Sequence, residues 1–159
     1  MKAFGTIALA ACVGLSLAPV PADPGPDAET EAIARVIHAC IGWAGTKDFA
    51  LLYGSIANDP GFLEVHPNGK VVSGFDEFRK AEAFWGSPDF KAVRYEIRDL
   101  RIRRSRSGDV AWFYALLDDI NEWKGQPANW ENTRWTGVLE KRDGRWVMVQ
   151  QHFSFAAKE

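Results

Sequence analysis

From residue 91 to residue 155 the chain offers four long strand-like stretches separated only by short turns, and this run constrains the fold more than any other feature. Val93, Tyr95 and Ile97 alternate with Arg94, Glu96 and Arg98, and Leu100 and Ile102 alternate with Arg101 and Arg103. A two-residue period puts apolar groups on one face of a pleated strand and charges on the other. Ser105 to Gly108 then turn the chain. Residues 109–123 and 129–142, rich in aromatic and β-branched side chains, follow on either side of Lys124-Gly125-Gln126-Pro127, and a last strand over 145–155 comes after Arg142-Asp143-Gly144. Turns this short allow only antiparallel pairing between successive strands, so the C-terminal half is a meander.

Ahead of it the spacing predicts three helices. Asp23 to Asp27, with two prolines and a glycine, mark a flexible leader. Ile33, Val36, Ile37, Cys40, Ile41 and Ala44 then recur at three- and four-residue steps until Gly42 and Gly45 end the pattern. A second helix is expected from Thr46, whose hydroxyl can cap it, with Phe49, Leu52, Tyr53 and Ile56 on one face. Asn58-Asp59-Pro60-Gly61 is a turn into a strand over Phe62 to His66, and Pro67-Asn68-Gly69-Lys70 is a hairpin turn into Val71-Val72. Ser73 and Asp76 have the spacing of a capping box for a third helix with Phe75, Phe78, Ala81, Phe84 and Trp85 on its apolar face. Helices followed by a meander make an α+β domain, expected over residues 28–157.

Residues 1–22 read as a secretory signal peptide. Lys2 supplies the charged start, Ala3 to Ala18 are almost wholly apolar, and Val20-Pro21-Ala22 end on a small residue. The expectation is export, to a bacterial periplasm. Leu9-Ala10-Ala11-Cys12 also resembles a lipoprotein box, which would lipidate Cys12; the 11 residues before it are few for a charged and an apolar region, and cleavage after Ala22 is preferred. The apolar run is shorter than the roughly 18 to 20 residues of a spanning helix, and no transmembrane segment is expected. Cleavage would leave Cys40 as the only cysteine, excluding an intramolecular disulfide. Its apolar neighbours at helical spacing make it a small buried hydrophobe rather than a nucleophile. With 19 basic and 21 acidic residues and a net charge of -2, the chain lacks the field that nucleic-acid binding needs. Arg101, Arg103, Arg104 and Arg106 are a local run without basic surroundings.

Polar groups on the last two strands look out of place. One parity of the third long strand carries Trp130, Asn132, Arg134, Thr136 and Val138, and one parity of the fourth carries Trp146, Met148, Gln150, His152 and Ser154. Arg134 and His152 therefore share a volume if these faces are the concave ones. The other parity of the fourth strand, Val147, Val149, Gln151, Phe153 and Phe155, is too apolar to be left wet, so both faces should be covered. Glu64 and His66, two apart on the first strand, make a metal or acid/base set with His152. Asp118, Asp119 and Glu122 form an acidic cluster, read either as paired carboxylates or as a solvated strand end neutralised by the arginines. No ligand spacing calls for a metal, and no cofactor is expected.

The stretch Arg134-Trp135-Thr136-Gly137-Val138-Leu139-Glu140-Lys141-Arg142-Asp143-Gly144-Arg145-Trp146-Val147-Met148-Val149-Gln150-Gln151-His152-Phe153-Ser154 resembles the C-terminal hairpin of the SnoaL-like proteins of the nuclear transport factor 2-like superfamily. Arg-x-Thr, Lys-Arg-Asp-Gly-Arg-Trp and His-x-Ser carry the match, and the order of elements follows that plan over about residues 28 to 156. The resemblance implies a cone-shaped fold, three N-terminal helices packed on a strongly curved antiparallel sheet around a deep pocket, commonly as a homodimer. That superfamily includes steroid isomerases, dehydratases, polyketide cyclases and proteins without catalysis. The isomerases pair a first-helix tyrosine with two strand carboxylates; here the first helix offers His38, Cys40 and Trp43, and no tyrosine precedes Tyr53.

The expected role is binding of a small, partly apolar organic molecule in the cone. Arg134 would hold an anionic or carbonyl group, His152, Gln150, Asn132 and His66 would orient it, and Trp112, Tyr114, Phe62 and Trp85 would form the walls. The alternative is a cofactor-independent isomerase, dehydratase or cyclase with His152 or Glu64 moving the proton. Dimerisation is expected through the outer face of the sheet.

Overall fold

The computed structural model describes residues 27–157; the expected signal segment, Cys12 and the leader up to residue 26 lie outside the described residues. Helix α1 (Ala28–Gly42) opens on Asp27, whose Oδ1 accepts from the Thr30 amide at 2.8 Å. Ile33, Ile37 and Cys40 form its buried stripe. A single 3-10 turn, Trp43–Gly45, leads to α2 (Phe49–Ser55). The cap of α2 is Asp48, which accepts from the Leu51 amide at 2.9 Å; Thr46 lies one turn too early, because Lys47 takes the left-handed conformation and redirects the chain.

The hairpin of β1 (Leu63–Val65) and β2 (Val71–Ser73) runs into two short helices, α3 (Phe75–Arg79) and α4 (Glu82–Gly86), where one helix was expected. Ser73 ends β2 and does not cap α3; Gly74, at φ 86°, makes the corner instead. The break comes where Lys80 and Ala81 close three-residue bonds onto Glu77 and Phe78. The long strands are β3 (Phe90–Arg104), β4 (Val110–Trp123), β6 (Trp130–Arg142) and β7 (Arg145–Ser154), with a short β5 (Gln126–Pro127) against β4.

Strand order is β2-β1-β7-β6-β4-β3. Every pairing is antiparallel except β1 with β7, so the sheet is mixed at this point. The sheet curls around the helices, and Ile33, Ile37, Phe62, Leu117, Trp135, Leu139 and Met148 are fully buried between them. Trp135 stacks on Phe153 with centroids 5.5 Å apart and meets Phe113 edge-on at 5.0 Å. A side chain at Gly137 would come within 2.6 Å of the Phe113 ring and 2.8 Å of the Gln150 carbonyl, so glycine is what lets Phe113 lie across β6.

Four bulges decide which side chains face the helices, the first of them at Val93 in β3. In β3 the register slips between Arg98 and Arg101, with Asp99 at φ 52°. In β6, Glu131 and Asn132 stand opposite one residue of β4, with Asn132 at φ 49°. In β7, Val149 is the extra residue. An inserted residue sends the two halves of a strand to opposite faces. Trp130 therefore faces the helices while Arg134, Thr136 and Val138 face out. Likewise Trp146 and Met148 face in while Gln150, His152 and Ser154 face out. Asp118 ties the bulges together on the outer face, accepting from the Asn132 amide at 2.7 Å and from Arg98 at 2.9 Å.

Candidate functional site

Between α1, α3, α4 and the inner face of the sheet lies a cavity of about 560 Å³ that opens to solvent. Its walls are aromatic: Trp43, Phe78, Phe84, Trp85, Trp130 and Phe153 all line it. These rings pack on one another, Trp43 against Trp85 at 5.3 Å and Trp130 against Phe153 at 5.2 Å between centroids, so the wall is held by its own contacts.

Polar groups enter the cavity from three strands. Glu64 and His66 share a strand face, and Glu64 Oε1 lies 2.5 Å from His66 Nε2. Gln151, directly across from Glu64 in the parallel β1–β7 pair, donates its amide nitrogen to Glu64 Oε2. The buried carboxylate is thus satisfied on both oxygens, and the His66 ring is held edge-on against Trp130 at 5.6 Å. From β4 come Asp119 and Asn121, two residues apart on the inward parity. Burial pushes the Asp119 carboxyl above its ordinary range, partly offset by a hydrogen bond from Asn121.

Two of these groups are incomplete. Asn121 is 7% exposed and Gln151 3% exposed, yet Asn121 Oδ1 and Gln151 Oε1 have no hydrogen-bond partner. A buried acceptor left bare costs about 1–3 kcal/mol, and these two line the same cavity. Cys40 also lines it, with Sγ 3.4 Å from Ser55 Oγ; burial pushes its thiol up to about 12, which keeps it un-ionised.

Glu64, His66 and Trp85 all line the cone. The inward placement expected for Arg134, His152, Asn132, Gln150, Trp112 and Tyr114 is corrected: all six lie on the outer face of the sheet. The bulges at Asn132 and Val149 are the reason for the β6 and β7 residues, since the parity count assumed unbroken strands. Asn132 occupies the bulge itself, and Arg134 donates to the Phe155 carbonyl. Trp112 and Tyr114 pair across from Arg103 and Arg101 and line an outer recess of about 410 Å³ with Thr136 and Gln150. Phe62 is core, edge-on to Phe78 at 5.1 Å behind the cavity wall.

Asp119, Asn121 and Gln151 are the site residues that the parity argument passed over. Asp119 sat in an acidic cluster, and strand alternation divides that cluster. Asp118 pairs with Arg98 and Glu122 with Lys91, while Asp119 turns inward. The arginine run does not neutralise it; Arg104 pairs with Asp27. Gln151 was the lone polar residue on an apolar parity, a signal that was present in the sequence. A further groove of about 500 Å³ lies over α1, α2 and the start of β7, and among the described residues it contains no buried unsatisfied group. Among the described residues no group of three or more His, Cys, Asp or Glu is placed to hold a metal, and no helix is long and apolar enough to cross a membrane.

A SnoaL-like domain model matches residues 33–158. Among solved structures, an NTF2-like protein from Cytophaga hutchinsonii is 16% identical with a TM-score of 0.64, over 79% of this chain and 97% of that one. An NTF2-like protein from Rhodospirillum rubrum, described as of unknown function in nutrient uptake, is 19% identical at a TM-score of 0.64, over 79% and 98%. An uncharacterised cystatin-like-fold protein from Caulobacter vibrioides is 20% identical at 0.61, over 81% and 90%. At such identities the likeness is one of fold. No curated protein matches the chain in sequence.

Proposed function

The chain belongs to the SnoaL-like family of the NTF2-like superfamily, and on that premise we propose that it is an exported protein that holds a small, partly apolar organic molecule inside its cone. The observation that carries this reading is a cavity of about 560 Å³ with aromatic walls and two buried, unpartnered acceptors on its lining. The aromatic surface takes up the apolar part of the ligand, and the bare oxygens supply the polar contacts that fix its orientation. The test is a native mass spectrum of the protein taken from its own cell envelope. A chain beginning at Asp23 and carrying an adduct that leaves on unfolding is expected. A chain beginning at Met1 contradicts export, and a protein that neither retains a molecule nor gains melting temperature with apolar probes contradicts binding.

A second reading, acid/base catalysis, is favoured by the Glu64–His66 contact. His66, held through Nε2 by Glu64 and lining the cavity, is the group placed to exchange a proton with a bound molecule. Asp119, made harder to ionise by burial, could return one. That is the equipment of a cofactor-independent isomerase, dehydratase or cyclase, with His66 in the role the sequence suggested for His152.

The same proposal pairs two copies through the outer face, where Trp112 is 48% exposed beside Tyr114 and Val138. Sedimentation equilibrium checks it: Trp112→Ala should weaken the dimer, and a wild-type monomer at every concentration would contradict it.

A further inference from the structure

The cone offers acceptors where its ligand must dock, and this narrows the ligand's chemistry. We propose that the ligand is an organic cation, a protonated amine on an apolar or aromatic skeleton, with the Asp119 carboxylate as its counter-ion. The inference rests on the reading that the cone holds a small molecule and adds the charge of that molecule.

The first support is the orientation of the two amides. Gln151 commits its nitrogen to the Glu64 carboxylate, so its free atom is Oε1. Asn121 directs its nitrogen to the Asp119 carbonyl at 3.4 Å, so its free atom is Oδ1. Both side chains are more than nine-tenths buried and both line the cavity. Both oxygens are shut off from solvent, so a ligand meets them only as their side chains turn toward the cavity; a molecule that then completes them must donate, and an ammonium group has up to three donors and no acceptor.

The second support is the charge around Asp119. The other ionisable carboxylate, imidazole and amine groups lining the cavity are Glu64, His66, Lys70, Glu77 and Lys80. His66 Nε2 is engaged by Glu64, and Lys80 by Glu77. Lys70 lies at the exposed end of the β1–β2 hairpin. Among the described residues no basic side chain pairs with Asp119, whereas its neighbour Asp118 has Arg98. Burial disfavours the Asp119 anion in the empty cavity, and an arriving cation reverses that. The third support is the wall: the indoles of Trp43, Trp85 and Trp130 line the cavity, and the indole is the aromatic ring that attracts a cation most strongly.

The test uses three probes that share one ring and one chain length and differ in the terminal group: tryptamine, tryptophol and indole-3-acetate. Each is titrated by calorimetry into the mature wild-type protein and into Asp119→Asn. In wild type, tryptamine is expected to bind at least about tenfold tighter than tryptophol, with indole-3-acetate weakest. In Asp119→Asn, whose folding is checked by its thermal unfolding transition, tryptamine should fall to within about twofold of tryptophol. Tryptophol or indole-3-acetate matching tryptamine in wild type would overturn the cation and leave the small-molecule reading standing. A variant that keeps the preference would overturn Asp119 as counter-ion. If none of the three binds, this inference falls, while the small-molecule reading falls only if the protein from its own envelope also retains no molecule.

Discussion

The two faces of the curled sheet treat their polar residues in opposite ways. On the outer face, Asp118 holds Arg98 and the Asn132 amide, Arg94 lies near Glu96, and Arg134 reaches the Phe155 carbonyl. Those groups meet one another close to solvent, although Arg98 Nε is left without a partner, and each contact contributes little to stability. On the inner face, Glu64, Gln151, Asp119 and Asn121 are enclosed by aromatic rings, and two of their acceptors have no partner. The difference teaches that an incomplete polar side chain points to a ligand when it lines a cavity, as Asn121 and Gln151 do and Arg98, Thr133 and Trp135 do not. Residue type alone does not distinguish the faces: arginine and histidine, the residues that look most chemical in the sequence, ended up mostly outside.

The sharpest way to test the contrast is a pair of tryptophans. Trp135→Ala, at a fully buried position stacked on Phe153, should cost about 3–5 kcal/mol in denaturant unfolding. Trp112→Ala on the outer face should stay within about 0.5 kcal/mol for the monomer. Similar losses from both would contradict the assignment of faces. Next comes Gly137→Ala, where the new methyl group meets Phe113 and the Gln150 carbonyl; about 1–3 kcal/mol should be lost, and a neutral result would show that the curl of β6 relaxes easily. Glu64→Leu strands the Gln151 amide and His66, and unfolding should register about 1–3 kcal/mol for the unpaired donor.

A smaller effect is expected from pH. The Asp119 carboxyl is raised in the folded state, so the protein binds that proton more tightly than the unfolded chain does. Its contribution to stability is fully present below the ordinary carboxyl value of 3.8 and is lost as pH rises through the raised folded value. Asp119→Asn should therefore be the more stable protein at neutral pH, with the difference vanishing in acid. Asp59 and Glu29 act with the opposite sign, held low by Arg142 and by Lys141, but they are common to both proteins and cancel in the comparison. The smallest expected effects belong to Arg134→Ala and His152→Ala, which should leave tryptamine affinity within about twofold of wild type, since neither lines the cavity.

Much of this architecture was legible in the residues. A period of two over 91–104, the Asn68-Gly69 turn and the three- and four-residue steps of α1 each follow from one local rule, and the elements appear in the expected order. Glu64 and His66 were legible as a pair because no inserted residue separates them. What parity could not carry was position beyond a bulge. Asn132 and Asp99 tolerate the left-handed backbone that a bulge requires, so their side chains were a hint, but Val149 gives none. The inward turn of Asp119 was hidden because its neighbours Asp118 and Glu122 are acidic as well, and only the strand register separates the three.

The central claim is that the ligand lies inside the cone and not on the outer face, and the seven tryptophans report on it in a single experiment. Tryptamine is titrated into nitrogen-15-labelled protein, and the indole N–H signals, assigned by substitution, are followed. The account predicts that the signals of Trp43, Trp85 and Trp130 move together while that of Trp112 stays in place. A Trp112 signal that moves while those three stay still would contradict it.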